Sequence, residues 1–366
     1  MRSLDHLRAL AMLAGVFFHA ALAHSPLLQP VFPTADSAQA PWLDALLWPL
    51  HLVRMPVFFV IAGWFAAQSL VRRGMGDFLQ ARARRLLLPL VVLAPLFHGL
   101  MGWLVMQAAL QAERPGPMLR WLRGAVESGQ LGSLPPGTGH LWFLAYLWLF
   151  CVLLWVARSL LPQALKQRLR NLPLAAWVTG LPLVMAGAFA SVSAPHPAPE
   201  GLLPQFWALV VYGGYFAFGL LAGPKLVQLA QTRWLAGLSA AGALACAVFM
   251  ALLDGLREQA GWPLGLASAA ASVWLSLALI GWSQRLLSRR LPLLQRFAEA
   301  SYWIYLVHLP LLFALQLAWL DWAQPVAVKL PLAVAITLLL GLISHEWLVR
   351  RTRPGRWLFA SRSPAS

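Results

Sequence analysis

Long apolar runs alternate with short polar punctuation along the whole chain. A hydrocarbon core about 30 Å thick asks for roughly 20 apolar residues in a helix, so the sequence divides wherever charges and Pro/Gly clusters interrupt such runs. Ten segments result, near residues 8–28, 43–70, 86–110, 139–160, 172–193, 205–223, 234–253, 264–283, 298–320 and 330–348. Several exceed the minimum and have room to tilt. The longest polar stretch, about residues 111–138, is too short for a domain of its own. The expected fold class is all-α: a polytopic integral membrane protein of about ten transmembrane helices.

The Lys and Arg positions test this partition independently, because short cytoplasmic loops are enriched in them. One side collects Arg2 and Arg8, then Arg72, Arg73, Arg82, Arg84 and Arg85, then Arg158, Lys166, Arg168 and Arg170. The same side takes Lys225 and Arg233, Arg285, Arg289, Arg290 and Arg296, and finally Arg350, Arg351, Arg353, Arg356 and Arg362. That is 22 of the 28 basic residues; the other side holds only Arg114, Arg120, Arg123, Arg257 and Lys329, and Arg54 lies inside a segment. Both termini are expected to be cytoplasmic, with residues 1–349 forming one transmembrane domain and 350–366 a basic cytoplasmic tail.

Composition agrees with this solvent. The 366 residues are 60% hydrophobic and 11% charged, whereas a soluble domain carries about 25% charge. The net charge of +16 would suggest nucleic acid in a soluble protein, but here it follows from topology, and no nucleic-acid partner is expected. Cys151 and Cys246 fall in different apolar segments without CxxC or Cys/His spacing, so neither a disulfide framework nor a zinc site is expected. No GxGxxG, Walker loop, HExxH, GxSxG or solenoid-period repeat is present.

Ionisable residues at mid-depth are costly, on the order of 3 kcal/mol for an Arg, and mark functional positions by default. His19 lies about 16 Å along the first helix from Arg8, Arg54 about 18 Å inward from Trp42, and His308 about 15 Å from Ala298. All three reach a similar plane. A lone buried histidine is equally often a packed residue with one satisfied hydrogen bond; an arginine there needs a partner or water. His98, His24 and His196 lack other polar company in the sequence and read as bland, while His345 and Glu346 are expected to pair or to face the cytoplasmic boundary. Arg82 and Arg85, three apart before the third segment, suit bidentate grip of phosphate, although anchoring to lipid headgroups is the simpler reading of the pair alone.

A cleaved signal peptide would also explain basic residues followed by an apolar run and Ala21-Leu22-Ala23. Asp5 and an ionisable His19 argue against it, since a disposable segment need not carry either cost.

Five stretches resemble the membrane-bound acyltransferase-3 family, most closely its glucan-biosynthesis type. They are LDHLRALAMLAGVFFHA, with Arg8 and His19 spaced as Arg-x10-His; HLVRMPVFFVIAGWF at 51–65; RARRLLLP, with Arg82 and Arg85; GHLWFL at 139–144; and ASYWIYLVHLPLL at 300–312. They are spread over nearly the whole chain in family order. The resemblance implies an O-acyltransferase that takes an acetyl or succinyl group from cytoplasmic acyl-CoA, without a metal, and delivers it to a hydroxyl of an extracytoplasmic glycan. A periplasmic glucan or a surface polysaccharide is the implied acceptor.

On that resemblance His19 is the general base or briefly holds the acyl group, and Arg54 stabilises the thioester oxyanion or holds His19. Asp5 and Arg8 set the inner geometry, and Arg82 and Arg85 bind CoA phosphates. Tyr302, Tyr305 and His308, at i, i+3 spacing, line an acyl tunnel. His51 belongs to the second stretch and is placed with the substrate-lining residues. His140 and Trp142 offer the sugar a polar and stacking surface, although an interfacial aromatic belt explains Trp142 equally well. Some family members carry an extracytoplasmic esterase-like domain after the last helix; here about 18 residues follow it, so a second transfer step would fall to another protein, or the acceptor reaches the membrane site directly.

A secondary transporter would also place charges at the midplane, but it usually shows two similar halves with paired broken helices, and "VRMPVFFVIAG" has no counterpart in the second half. A non-catalytic glycan-export component would not need His and Arg together at mid-depth. Abundant Ala, Leu and Arg with few Lys suggests a GC-rich bacterial source, and the expected location is the bacterial inner membrane, in contact with its lipid.

Overall fold

The structure is a computed structural model that describes residues 2–130, 132, 136–256 and 261–359. Arg257 and Arg362 of the charge pattern, and the tail beyond 359, lie outside the described residues. The regular elements among those residues are helices, with no strand. The helices are α1 (Arg2–Leu22), α2 (Pro41–Arg82), α3 (Leu88–Gln111), α4 (Pro117–Glu127), α5 (Trp142–Leu160), α6 (Gln163–Asn171) and α7 (Leu174–Ala190). They continue as α8 (Phe206–Ala222), α9 (Thr232–Leu256), α10 (Trp262–Leu286), α11 (Pro292–Ala318), α12 (Val326–Ser344) and α13 (Arg353–Phe359).

Each of the ten segments read from the sequence overlaps one of these helices. By length and apolarity alone, seven runs among the described residues are fit to cross a bilayer, or eight if α6 and α7, bent by 104°, form one broken span. One run, Pro41–Gln111, is 71 residues long, about 105 Å if straight and more than three hydrocarbon thicknesses. Helical dihedrals break inside it at Gly74, where φ is 74°, a conformation that glycine adopts without steric cost. α1 is not among the seven because Asp5, His6, Arg8 and His19 dilute its apolar character. It also ends at Leu22 rather than near residue 28: Pro26 has no N–H and disfavours helix at Ser25 before it.

Between α2 and α3 a π turn spans Ala83–Leu87, where the Leu88 N–H reaches back five residues to the Ala83 carbonyl. Pro89 follows and has no N–H to return to Arg85, so the ladder slips where the arginine pair sits. A second π turn covers His345–Arg350.

The chain sorts into two compact units. The first comprises residues 1–11, 51–90 and 140–295. In it α10 packs on α7 and α9, and α5 packs on the π turn before α3. Close approach depends on glycine: a Cβ on Gly63 would stand 2.0 Å from the Phe216 carbonyl oxygen, and one on Gly219 2.0 Å from that of Val60, so α2 and α8 touch backbone to backbone. α10 also repairs two proline gaps. Pro56 and Pro182 cannot donate to the carbonyls four residues earlier. Ser272 donates to one of these, Leu52, at 2.7 Å, and the Trp274 indole N–H to the other, Val178, at 3.0 Å.

The second unit comprises residues 12–50, 91–139 and 296–366. Its core joins α3, α4 and the end of α11 through Ala109, Leu119, Leu122, Phe313 and Leu317. Arg123 of α4 donates to the carbonyls of Ala109 and Ala112, closing the C-terminal end of α3.

Candidate active site

In the second unit two of the histidines expected at mid-depth meet. The rings of His19 on α1 and His308 on α11 lie 5.2 Å apart, centroid to centroid, tilted by 53°. His308 is 4% exposed, and its Nδ1–H donates to the Tyr305 carbonyl at 2.7 Å. A carbonyl oxygen only accepts, so this partner assigns the proton of the neutral ring to Nδ1 and the lone pair to Nε2. Phe18 stands edge-on to His19 at 5.3 Å and to Trp48 at 6.4 Å. The Tyr305 ring is 6.1 Å from His308, whereas Tyr302 lies 6.3 Å from Phe359 of α13. The polar stripe of α11 therefore runs from the histidine pair to the C-terminal helix.

Beyond α1, residues 23–40 form a tightly bonded connection. Asp36 takes the Ala38 N–H at 2.8 Å and the Lys329 ammonium at 2.6 Å; Lys329 also donates to the Trp319 carbonyl at 2.9 Å. Both charged side chains are about 95% buried. Gln316 donates to the Ala20 carbonyl at 2.7 Å and accepts from the Thr34 hydroxyl at 2.9 Å. Asp44 takes the Ser25 hydroxyl and the Leu27 N–H.

Two expectations are corrected here. His24 does not lack polar company: its Nδ1–H donates to the Ala38 carbonyl at 2.8 Å, and with Asp36, Gln316 and Lys329 it lines a small cavity. Lys329 is not an outer-loop charge but a buried residue of the first turn of α12. The pair is separated by 293 residues, so no local spacing announces it.

The first unit holds the remaining candidates. Asp5 and Arg8 form an ion pair at 3.3 Å, and the Arg8 guanidinium is 5.9 Å from the Phe65 ring centroid. Arg82 ends α2, with its guanidinium 5.3 Å from the Phe78 ring; Arg85 sits in the π turn. Arg54 is buried one turn beyond His51. The His51 Nε2–H donates to the His196 carbonyl at 2.8 Å.

His196, which lacks polar company in the sequence, also has polar partners here. Its Nε2–H donates to Ser268 at 2.9 Å, and that hydroxyl passes on to the Leu264 carbonyl at 2.7 Å. His196 lies in the connection after α7, where burial, and next the neighbouring His51, push its pKa down to about 3. Ser268 and Ser272 belong to a stripe with Ser276 at i, i+4, i+8 on α10, a polar period inside an apolar segment that the sequence did display.

His140 is buried in a 3₁₀ turn after Gly139. Trp142 is packed rather than open: Tyr212, Tyr146 and Phe59 lie 5.1, 5.8 and 6.2 Å from it, which leaves 7% of it exposed. At the second π turn Glu346 pairs with Arg350 at 3.0 Å, not with His345.

A histidine on the first helix, an arginine pair ahead of α3 and a tyrosine–histidine stripe on α11 occur in an order that can be compared with known proteins. Residues 1–346 match the acyltransferase-3 family, described as an acyltransferase domain. The chain belongs to the acyltransferase-3 family. It is similar to the glucans biosynthesis protein C of Escherichia coli strain K12, 28% identical over 332 residues that cover 84% of this chain and 81% of the relative. The protein of the same name from Salmonella typhimurium strain LT2 is 26% identical over 326 residues, with the same shares covered. No solved structure matches. This acyltransferase-3 protein is thus a multi-pass membrane O-acyltransferase, built from apolar helices of spanning length.

Proposed function

We propose that this acyltransferase takes an acetyl or succinyl group from acyl-CoA at the cytoplasmic face of a bacterial inner membrane and delivers it to a hydroxyl of an extracytoplasmic glycan. The observation that carries the reading is the His19–His308 pair, two imidazoles in contact distance on helices where an ionisable group is costly unless used. The relatives, named for glucan biosynthesis, support a periplasmic glucan or surface polysaccharide as acceptor.

His19 acts as general base. It takes the proton of the sugar hydroxyl as that oxygen attacks the thioester carbonyl; the C–O bond forms, the C–S bond breaks, and His19 returns the proton to the departing CoA thiolate. Arg54 stabilises the oxyanion. Arg82 and Arg85 grip the CoA phosphates, the Asp5–Arg8 pair sets the inner geometry, and Tyr302 and Tyr305 line the acyl path. His51 and His140 serve the acceptor.

The test is acylated glycan per unit of folded protein, measured by mass spectrometry in cells making the wild type, His19→Ala or His98→Ala. Loss of a general base costs about 10²- to 10⁴-fold in rate, so His19→Ala is expected to be inactive yet inserted and folded, with His98→Ala close to wild type. Activity retained by both variants would remove His19 from the chemistry.

A further inference from the structure

A neutral imidazole works as a base only when its ring is held so that the lone pair, not the N–H, faces the hydroxyl. In hydrolytic triads a buried carboxylate does this by accepting the N–H of the base. The His19 ring lies 5.3 Å from that of Phe18 and 5.2 Å from that of His308. Phe18 has no lone pair. His308 has one: Tyr305 takes its Nδ1–H, which leaves Nε2 as the acceptor of the neutral ring. The centroid separation of 5.2 Å puts the two rings within reach of a direct or single-water hydrogen bond. His308 is also almost fully buried, so its orientation is set by packing and by Tyr305 rather than by solvent.

We propose that His308 is the positioning residue of His19, accepting the His19 N–H so that the other His19 nitrogen presents its lone pair to the acceptor hydroxyl. The role rests on the reading of His19 as base and differs from lining a tunnel. When His19 takes the hydroxyl proton, the imidazolium charge is shared with His308 across the same bond. When His19 gives the proton to the thiolate, the pair returns to its starting state, with no net charge gained or lost. A neutral partner does at mid-depth what a carboxylate does in a solvated protease, without burying an anion there.

The full-length protein in detergent micelles, with both faces open, tests this by release of CoA thiol from whichever of acetyl-CoA and succinyl-CoA the wild type uses, with a glucan oligosaccharide as acceptor. His308→Ala is expected to lower kcat at least about tenfold, the lower end of what losing the partner of a metal-ligating imidazole costs, with donor and acceptor KM within about twofold. His308→Gln, which restores an accepting oxygen, is expected to recover most of that loss. His308→Phe keeps a ring without nitrogen and takes the place of the alanine variant if that one does not fold.

Wild-type kcat in the Ala or Phe variant, no recovery in Gln relative to them, or a loss confined to the donor KM overturns the proposal. The underlying reading is separable. An inactive His19→Ala beside His308 variants of wild-type kcat means that His19 works alone, whereas an active His19→Ala removes the base itself.

Discussion

A buried histidine is defined by where its ring proton goes. His308 gives it to Tyr305, His24 to Ala38 and His196 to Ser268, and in each case the partner fixes which nitrogen keeps the lone pair. The His308 bond is local, three residues back, but no local motif announces that of His196, which crosses 72 residues. The arginines are a different kind of residue-scale problem. Arg82 and Arg85 are recognisable from spacing alone, but whether they hold a donor or a lipid is not. Arg82→Ala and Arg85→Ala each remove a charge-assisted phosphate contact of about 1.5–3 kcal/mol. The apparent donor affinity is expected to fall about tenfold or more at each position, measured by CoA-thiol release against donor concentration. Unchanged affinity in both returns the pair to lipid anchoring.

At the scale of elements, the apolar runs located the helices, because a segment in hydrocarbon must satisfy its backbone internally. What they did not locate is how α2 and α7 tolerate a proline in mid-helix. The answer lies on another helix: Ser272 and Trp274 of α10 donate to the carbonyls that Pro56 and Pro182 leave open. Ser272→Ala is therefore expected to cost about 1–3 kcal/mol, since it removes the donor to the Leu52 carbonyl and the hydroxyl bonded to Tyr215. In a Pro56→Ala background, where the helix regains its own N–H, the cost is expected to shrink. Thermal midpoints of the four proteins in detergent complete the cycle. Additive losses would show that the serine matters for something other than the gap. Serines in a membrane segment were visible; that their i, i+4, i+8 stripe faces a proline-broken neighbour was not, since it depends on tertiary pairing.

At the scale of the whole molecule, family membership was legible because its motifs combine rare residues, such as His19 and Arg54, with apolar surroundings that dilute every other signal. The orientation in the membrane is tested by reporters fused after Arg123 and after Arg170, expected on opposite sides; the same side for both would refute the ten-helix plan. The last feature to be considered is the ion pair that holds residues 23–40. Lys329 reaches Asp36 across 293 residues, so the carboxylate has this partner only when α12 is in place. Breaking such a pair by removing one partner leaves a buried charge at a cost of about 3–5 kcal/mol. The connection at 23–40 is thereby tied to a helix far along the chain, and its closure depends on α12.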